Sequence, residues 1–362
     1  MKQIEFFGMN SIENLKDILI KERSNKVFLV TGKNSFESCG AKKKLEELLK
    51  DKQITRFYNF SSNPKLEEIK KGYEIFQQDK YDLIIGIGGG SSIDVAKSIK
   101  LFHFNDSKKN LPLIAIPTTA GSGSEATYFI VYYEKKEKQS KGHQNITLPN
   151  YSICDSQFII NLPKKIAATS GIDALAQAME SYWAIGATLK SQIYAKKAIE
   201  LTLDNLELAI NSDSKKAKEM MLKAANFAGK AINISKTTAS HALSYGITSR
   251  YDIPHGHAVG LTLGKILIYN SNISEKDCLD KRGADYVINT IENLVKLTKS
   301  SNIYELDKKI KEIMENIGLE TTFNDLNINN YDFLIDFNLE RARNNPRKIT
   351  IENLKKILEN TL

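Results

Sequence analysis

An α/β domain built on a parallel sheet, followed by an all-helical domain, is the fold class this sequence predicts, and three observations carry it. The first half alternates short β-rich runs with amphipathic stretches, which implies parallel strands covered by helices on both faces. After Pro163 the apolar residues recur at a period near 3.6 with few β-branched runs. At 362 residues, of which 41% are hydrophobic, the chain can bury two cores. We therefore expect residues 1–162 to form the α/β domain and residues 163–362 the helical one.

The strands expected in order are Lys26 to Thr31, Ile54 to Phe60, Leu83 to Gly86 and Leu113 to Ile116, and helices are expected around 35–50, 65–79 and 91–102. In the second half, breaks fall at Asn211 to Ser214, Tyr251 to Pro254 and Ser271 to Ser274, where polar and Gly/Pro-type residues interrupt the helical period. The N-terminal apolar run is short (Ile4, Phe6, Phe7) and no stretch approaches the roughly 20 apolar residues of a membrane span. A protein without a signal peptide or membrane anchor is expected. Cys39, Cys154 and Cys278 are far apart and form no CxxC pair, which argues against a disulfide framework or thiolate zinc site and for a reducing cytoplasm. The formal net charge is +8, but the lysines are mixed with glutamates along helical stretches and no aromatic-interleaved basic patch accompanies them, so nucleic acid is not an expected partner. The excess of cations favours anionic ligands by long-range attraction.

Two loops in the first half suit phosphate. Tyr81 to Lys97 (YDLIIGIGGGSSIDVAK) runs a buried strand into Gly88, Gly89 and Gly90 and then into a helix opened by Ser91 and Ser92. Amides at a helix start approach a diphosphate closely where no Cβ intervenes. The spacing is neither GxGxxG nor a GK[ST] loop, and a tight turn needing glycine would look similar. The second loop, Ile116 to Glu125, offers Thr118, Thr119, Ser122 and Ser124 after another apolar strand. Loops at the carboxyl ends of parallel strands line the crevice where such sheets bind ligands. In the helical half, Asp173 and Gln177 lie four apart, hence on one helix face, among apolar neighbours that make a bare carboxylate costly. His241 and His255 are two of only five histidines, and imidazole with carboxylate suits zinc or ferrous iron.

GGGSSIDVAK, PTTAGSGSE, GIDALAQAMESY and DIPHGHAVG, with a closing NNPRKIT, occur in an order and at separations that resemble the iron-containing, or group III, alcohol dehydrogenase family. The resemblance spans nearly the whole chain. It implies a Rossmann-like nucleotide-binding domain, a helical metal-binding domain of the dehydroquinate-synthase-like type, and NADP(H) or NAD(H) with one divalent metal, Fe2+ or Zn2+. Within that resemblance the cofactor set is Gly32, Asn63, Gly88, Gly89, Gly90, Ser91, Ser92, Asp94, Thr118, Thr119, Ser122 and Lys138, the last also readable as a solvated hairpin charge. Asp173, His241 and His255 match an aspartate and two histidine ligands. Gln177 stands where the family has a histidine, and offers only an amide carbonyl oxygen. Tyr245 stands where a further histidine is common, and either donates its hydroxyl to substrate or packs. These departures look most like the phosphonoacetaldehyde reductase branch, with Lys236 and Arg250 either meeting a phosphonate or serving as surface charge. Gly32 and Lys33, where NAD-preferring relatives carry an aspartate, leave room for a 2′-phosphate.

The resemblance implies NAD(P)H-dependent, metal-assisted reduction of a small aldehyde, neutral or anionic. Phosphonoacetaldehyde, reduced to 2-hydroxyethylphosphonate, is first among them, with Tyr245 or His257 delivering the proton. A general alcohol or diol dehydrogenase of the same family is the alternative, and a dehydroquinate-synthase-like lyase or a non-catalytic nucleotide-binding protein is the next. A homodimer or larger homo-oligomer is expected.

Overall fold

The computed structural model describes residues 3–135, 137–337 and 339–358. The chain divides into two compact units, Met1–Leu162 and Pro163–Leu362. In order, the first holds β1 (Ile4–Phe7), α1 (Leu15–Lys21), β2 (Lys26–Thr31), α2 (Ser35–Ser38), α3 (Ala41–Leu48), β3 (Gln53–Phe57), α4 (Leu66–Gln77), β4 (Leu83–Gly88), α5 (Gly90–Ser107), β5 (Leu113–Pro117), β6 (Ile130–Glu134), β7 (Glu137–Lys141), α6 (Gln144–Thr147) and β8 (Tyr151–Cys154). Six strands form one parallel sheet in the order β1-β8-β5-β4-β2-β3, and β6 and β7 form a separate antiparallel hairpin.

The parallel sheet with helices follows the sequence reading, enlarged by β1 and β8. These are strands of only four residues each, too short for periodicity to distinguish from a loop. Every residue of β4 and β5 is buried, as parallel strands covered on both faces must be. The alternation within β2 shows both covers. Val27 and Leu29 join Leu15, Leu45 and Ile85 in one core layer, whereas Phe28 and Val30 join Ile69, Phe76 and Ile99 in the other. The chain passes outward from β2 to the edge strand β3 and returns to β4 on the other side of β2. Loops after β2 and β4 therefore depart to opposite faces, and the crevice this opens at the carboxyl ends is where such sheets take ligands.

Asp94, expected among the cofactor contacts, is instead turned into the domain. It lies on the inward side of α5, where the Ser124 hydroxyl donates to it at 2.5 Å, the Val131 N–H at 3.0 Å, and the Lys97 ammonium approaches to 3.5 Å. Lys97, fully buried, also donates to Ser124 Oγ and to the Phe129 carbonyl. The pair thus fastens both the threonine–serine loop and the hairpin strand β6 to α5.

The second unit contains α7 (Lys164–Trp183), α8 (Leu189–Asn211), α9 (Lys215–Ser235), α10 (Ala239–Tyr251), α11 (His255–Ser271), α12 (Ala284–Leu297), α13 (Ile303–Asn316) and α14 (Ile351–Leu358). Three of its helices start on a capping side chain: Thr188, Ser214 and Asn302 each accept a first-turn amide at the start of α8, α9 and α13. Helix α7 is the centre, packed against α8, α9, α11 and α12. Every residue from 171 to 181 is buried, so polar side chains in that stretch must find partners inside the protein. Among the described residues no helix is long and apolar enough to cross a membrane.

Replacing Asp94 by Ala leaves Lys97 buried without its paired carboxylate, Glu125 being the remaining acid that acts on it. We expect a loss of about 3–5 kcal/mol of unfolding free energy in urea denaturation; an unchanged midpoint would contradict the pairing.

Candidate metal and cofactor sites

Asp173, Gln177 and Glu180 fall four and three residues apart on α7 and so share one face of the helix. All three are buried. Glu180 is met by four donors: the Thr238 hydroxyl at 2.7 Å, the backbone N–H groups of Thr238 (3.2 Å) and Ser240 (2.8 Å), and the ring Nδ1 of His241. The α10 N-terminus lacks a side-chain cap of its own, and a carboxylate from α7 supplies one, opposite the positive end of the helix dipole. Trp183, one turn on, donates its indole N–H to Thr238 Oγ1.

Donation from Nδ1 to Glu180 leaves Nε2 of His241 as the atom facing Asp173, 3.4 Å from its Oδ1. Burial alone would depress the imidazole, but Glu180 and Asp173 together outweigh it and hold His241 up to about 9. His255 is set by the same logic. Ser244 donates its single proton to the His241 carbonyl (2.8 Å), so its oxygen accepts from His255 Nδ1 at 3.0 Å and leaves Nε2 as the nitrogen that carries the lone pair. Close approach of α11 to α7 depends on Gly256, where a Cβ would lie 2.0 Å from the Thr169 carbonyl oxygen and 2.7 Å from Asp173 Cβ. As a result one ligand atom from each of Asp173, His241 and His255 lies within 4.8 Å of the others.

These donors fit a divalent cation. Gln177 Nε2 donates to Asp173 Oδ2 at 3.0 Å, while Gln177 Oε1 and His241 Nε2 are buried with no hydrogen-bond partner among the described residues. A buried amide oxygen left in this state is costly unless something positive meets it, and a cation in the cluster would take the place of the proton that Glu180 and Asp173 otherwise hold on His241. A carboxylate and two imidazoles with hydrogen-bonded outer nitrogens are the ligand chemistry of zinc and ferrous iron.

Other residues expected at the site lie elsewhere. His257 follows His255 by two positions, about 200° around the helix, and its Nε2 donates to the Glu320 carbonyl at 2.7 Å; it is not brought to the cluster. Arg250 is paired with Asp336 at 2.5 Å near the exposed end of α10, and Lys236 is an exposed residue at the C-cap of α9. The cation beside the cluster is Arg341, which sequence reasoning missed. Its guanidinium carbon sits 4.6 Å from the ring centroid of Tyr245, and that ring lies parallel to His255 at 6.1 Å. Arg341 is held by the turn Arg341–Asn344, whose Asn344 accepts from the Ile185 and Gly186 amides and donates to the carbonyls of Ser235 and Thr237. Burial raises the Tyr245 phenol above its ordinary range, with Arg341 pulling the other way. Glu180 was also missed as a site residue, although its seven-residue spacing from Asp173, within an almost wholly apolar and small-residue stretch of α7, was a usable signal.

In the α/β unit the glycine and threonine loops converge. The Thr118 N–H donates to the Gly88 carbonyl at 2.9 Å, and a Cβ built on Gly90 would stand 2.8 Å from Ser122 Oγ and one on Gly89 3.5 Å from Thr119. Ser91 donates to the Ser62 carbonyl, tying the loop that carries Asn63 to the start of α5, and the Tyr133 N–H donates to the Pro64 carbonyl at 2.8 Å. Tyr133 is the cross-strand partner of Lys138. Gly32, at the end of β2, completes this rim: its amide nitrogen is 3.5 Å from where a Cβ on Gly88 would be. The rim gathers the positive end of a long helix, amides and hydroxyls, which is a fit for a dinucleotide diphosphate.

The model for the iron-containing alcohol dehydrogenase family matches residues 3–156, and the C-terminal model of the same family matches residues 167–362. The chain is 29% identical to an NADPH-dependent butanol dehydrogenase of Clostridium saccharobutylicum, over 98% of this chain and 95% of the relative. It is 27% identical to a phosphonoacetaldehyde reductase of Streptomyces viridochromogenes, over 76% and 75% of the two chains. The crystal structure of a sulfoacetaldehyde reductase from Bifidobacterium kashiwanohense in complex with NAD+ superposes with a TM-score of 0.86 at 27% identity, covering 99% of this chain and 96% of that one. The chain belongs to the iron-containing alcohol dehydrogenase family, and is an NAD(P)-dependent, metal-binding oxidoreductase of alcohols and aldehydes.

Proposed function

We propose that this enzyme reduces a short aldehyde bearing an acidic group, phosphonoacetaldehyde first, to the primary alcohol. The observation that carries this reading is Arg341, a cation held against Tyr245, whose ring in turn lies against His255. A guanidinium at that position suits a phosphonate or sulfonate oxyanion, with planar, charge-assisted hydrogen bonds. The Streptomyces and Bifidobacterium relatives are reductases of acetaldehydes carrying such groups.

Asp173, His241 and His255 are the proposed ligands of one divalent metal, Fe2+ or Zn2+, with Gln177 Oε1 as the fourth donor. When bound, the metal polarises a carbonyl oxygen and the reduced nicotinamide supplies hydride to the carbonyl carbon. The chain's own residues do the rest. Glu180 and Ser244 orient the two imidazoles, and Arg341 holds the acidic end of the substrate. Tyr245, a phenol kept protonated by burial, is the proton donor to the alcohol oxygen, whereas His257 is committed to the Glu320 carbonyl. In the α/β unit, Gly88 to Ser92 with Thr118, Thr119 and Ser122 hold the cofactor diphosphate, with Asn63 and Lys138 at the rim. Homo-oligomeric assembly and a reducing cytoplasm complete the reading; the latter is supported by the absence of a disulfide among the described cysteines Cys39, Cys154 and Cys278.

His255→Ala and Gly256→Ala should lose bound metal and activity together, and Glu180→Gln should weaken metal affinity about 10–100-fold; elemental analysis of the purified variants reads both, and full turnover by metal-free His255→Ala would contradict the scheme. Arg341→Leu should lower kcat/KM for phosphonoacetaldehyde by about 10–100-fold, the worth of a charged hydrogen bond, while leaving butanal nearly unchanged. A wild-type enzyme that prefers butanal would make it a general alcohol dehydrogenase instead.

A further inference from the structure

A second arginine stands at the carboxyl end of the sheet, against the turn that follows β2. Arg56, on β3 opposite Leu29, donates from Nε to Thr31 Oγ1 at 2.9 Å and from Nη2 to the Gly32 carbonyl at 3.3 Å. Its guanidinium carbon lies over two aromatic rings, 4.6 Å from the centroid of Phe36 and 4.5 Å from that of Tyr58. Two of its five N–H groups are thereby used and the plane is fixed. Arg56 is half-buried, and among the described residues no carboxylate forms an ion pair with it. A rigid cation with spare donors, at the carboxyl ends of β2 and β3 and beside a glycine rather than an acid, has the chemistry to hold a phosphate monoester.

We infer that Arg56 reads the 2′-phosphate of the cofactor, so that this enzyme takes NADPH in preference to NADH. The end of the second strand at a sheet's switch point is where a dinucleotide presents its adenosine ribose. There an acidic side chain would bind the free ribose hydroxyls and repel the phosphate. Gly32 removes that selection against the phosphate, and Arg56, with the exposed Lys33 next to it, supplies selection for it. The two rings stabilise the guanidinium where it stands and lower the ordering cost of binding. Arg56 bears on the cofactor alone, so failure here leaves the aldehyde specificity untouched.

Calorimetric titration of the full-length protein tests it. Wild type should bind NADPH at least tenfold more tightly than NADH, and 2′,5′-ADP at least tenfold more tightly than 5′-AMP, with the advantage shrinking as salt is raised. Arg56→Leu should weaken NADPH by roughly 10–100-fold and leave NADH within about twofold, with Arg56→Lys between the two. Equal losses for NADPH and NADH would make Arg56 a structural brace of the β2 turn and overturn the inference. Should Arg56→Leu not fold, the wild-type comparison of 2′,5′-ADP with 5′-AMP decides alone, equal binding being the contrary result.

Discussion

Glu180 is a carboxylate with no exposed surface, and the geometry of the metal site depends on how its charge is met. An anion in that position would be strongly disfavoured on its own. It is made acceptable by amides, a hydroxyl and an imidazole that all come from the start of α10, so the interaction that satisfies Glu180 also docks α10 onto α7. The same contact decides which nitrogen of His241 faces Asp173. Removing the acid would therefore release a helix end and a ligand together, which is why such outer partners matter nearly as much as the ligands they orient.

The rest of the helical unit serves this junction. Gly256 lets α11 start close to Asp173, Ser244 hands one hydroxyl to two duties, and the clasp made by Asn344 brings Arg341 to Tyr245. In the α/β unit the equivalent constraint is the return of the chain from β3 to β4, which separates the loops after β2 and β4. Arg56 and the glycine loop flank the opening, and Asp94 with Lys97 braces the threonine loop from below.

The parallel sheet was legible because its central strands are continuous apolar runs, and the helical half because its apolar residues keep a period near 3.6. The candidate cluster of Asp173, His241 and His255 was legible through the family resemblance, since helical spacing alone relates only Asp173 to Gln177. What periodicity cannot read is a tertiary partnership. Arg341 stands 96 residues beyond Tyr245 in the sequence, and nothing local distinguishes it from Arg250, which the fold gives to Asp336. Arg56 likewise needs Phe36, Tyr58 and Gly32 around it to stand out. Asp94 and His257 misled for the converse reason. Both sit in motif segments, yet helix geometry turns one toward Ser124 and the other toward Glu320.

Gln177 distinguishes this site from one with a third imidazole, and X-ray absorption at the metal edge tests it most directly. Protein loaded with zinc or ferrous iron should hold one metal per chain, with two imidazole nitrogens near 2.0–2.1 Å for zinc and the remaining ligands oxygen. Absence of bound metal, a thiolate sulfur in the shell, or a single imidazole would contradict a site made by Asp173, His241, His255 and the Gln177 carbonyl.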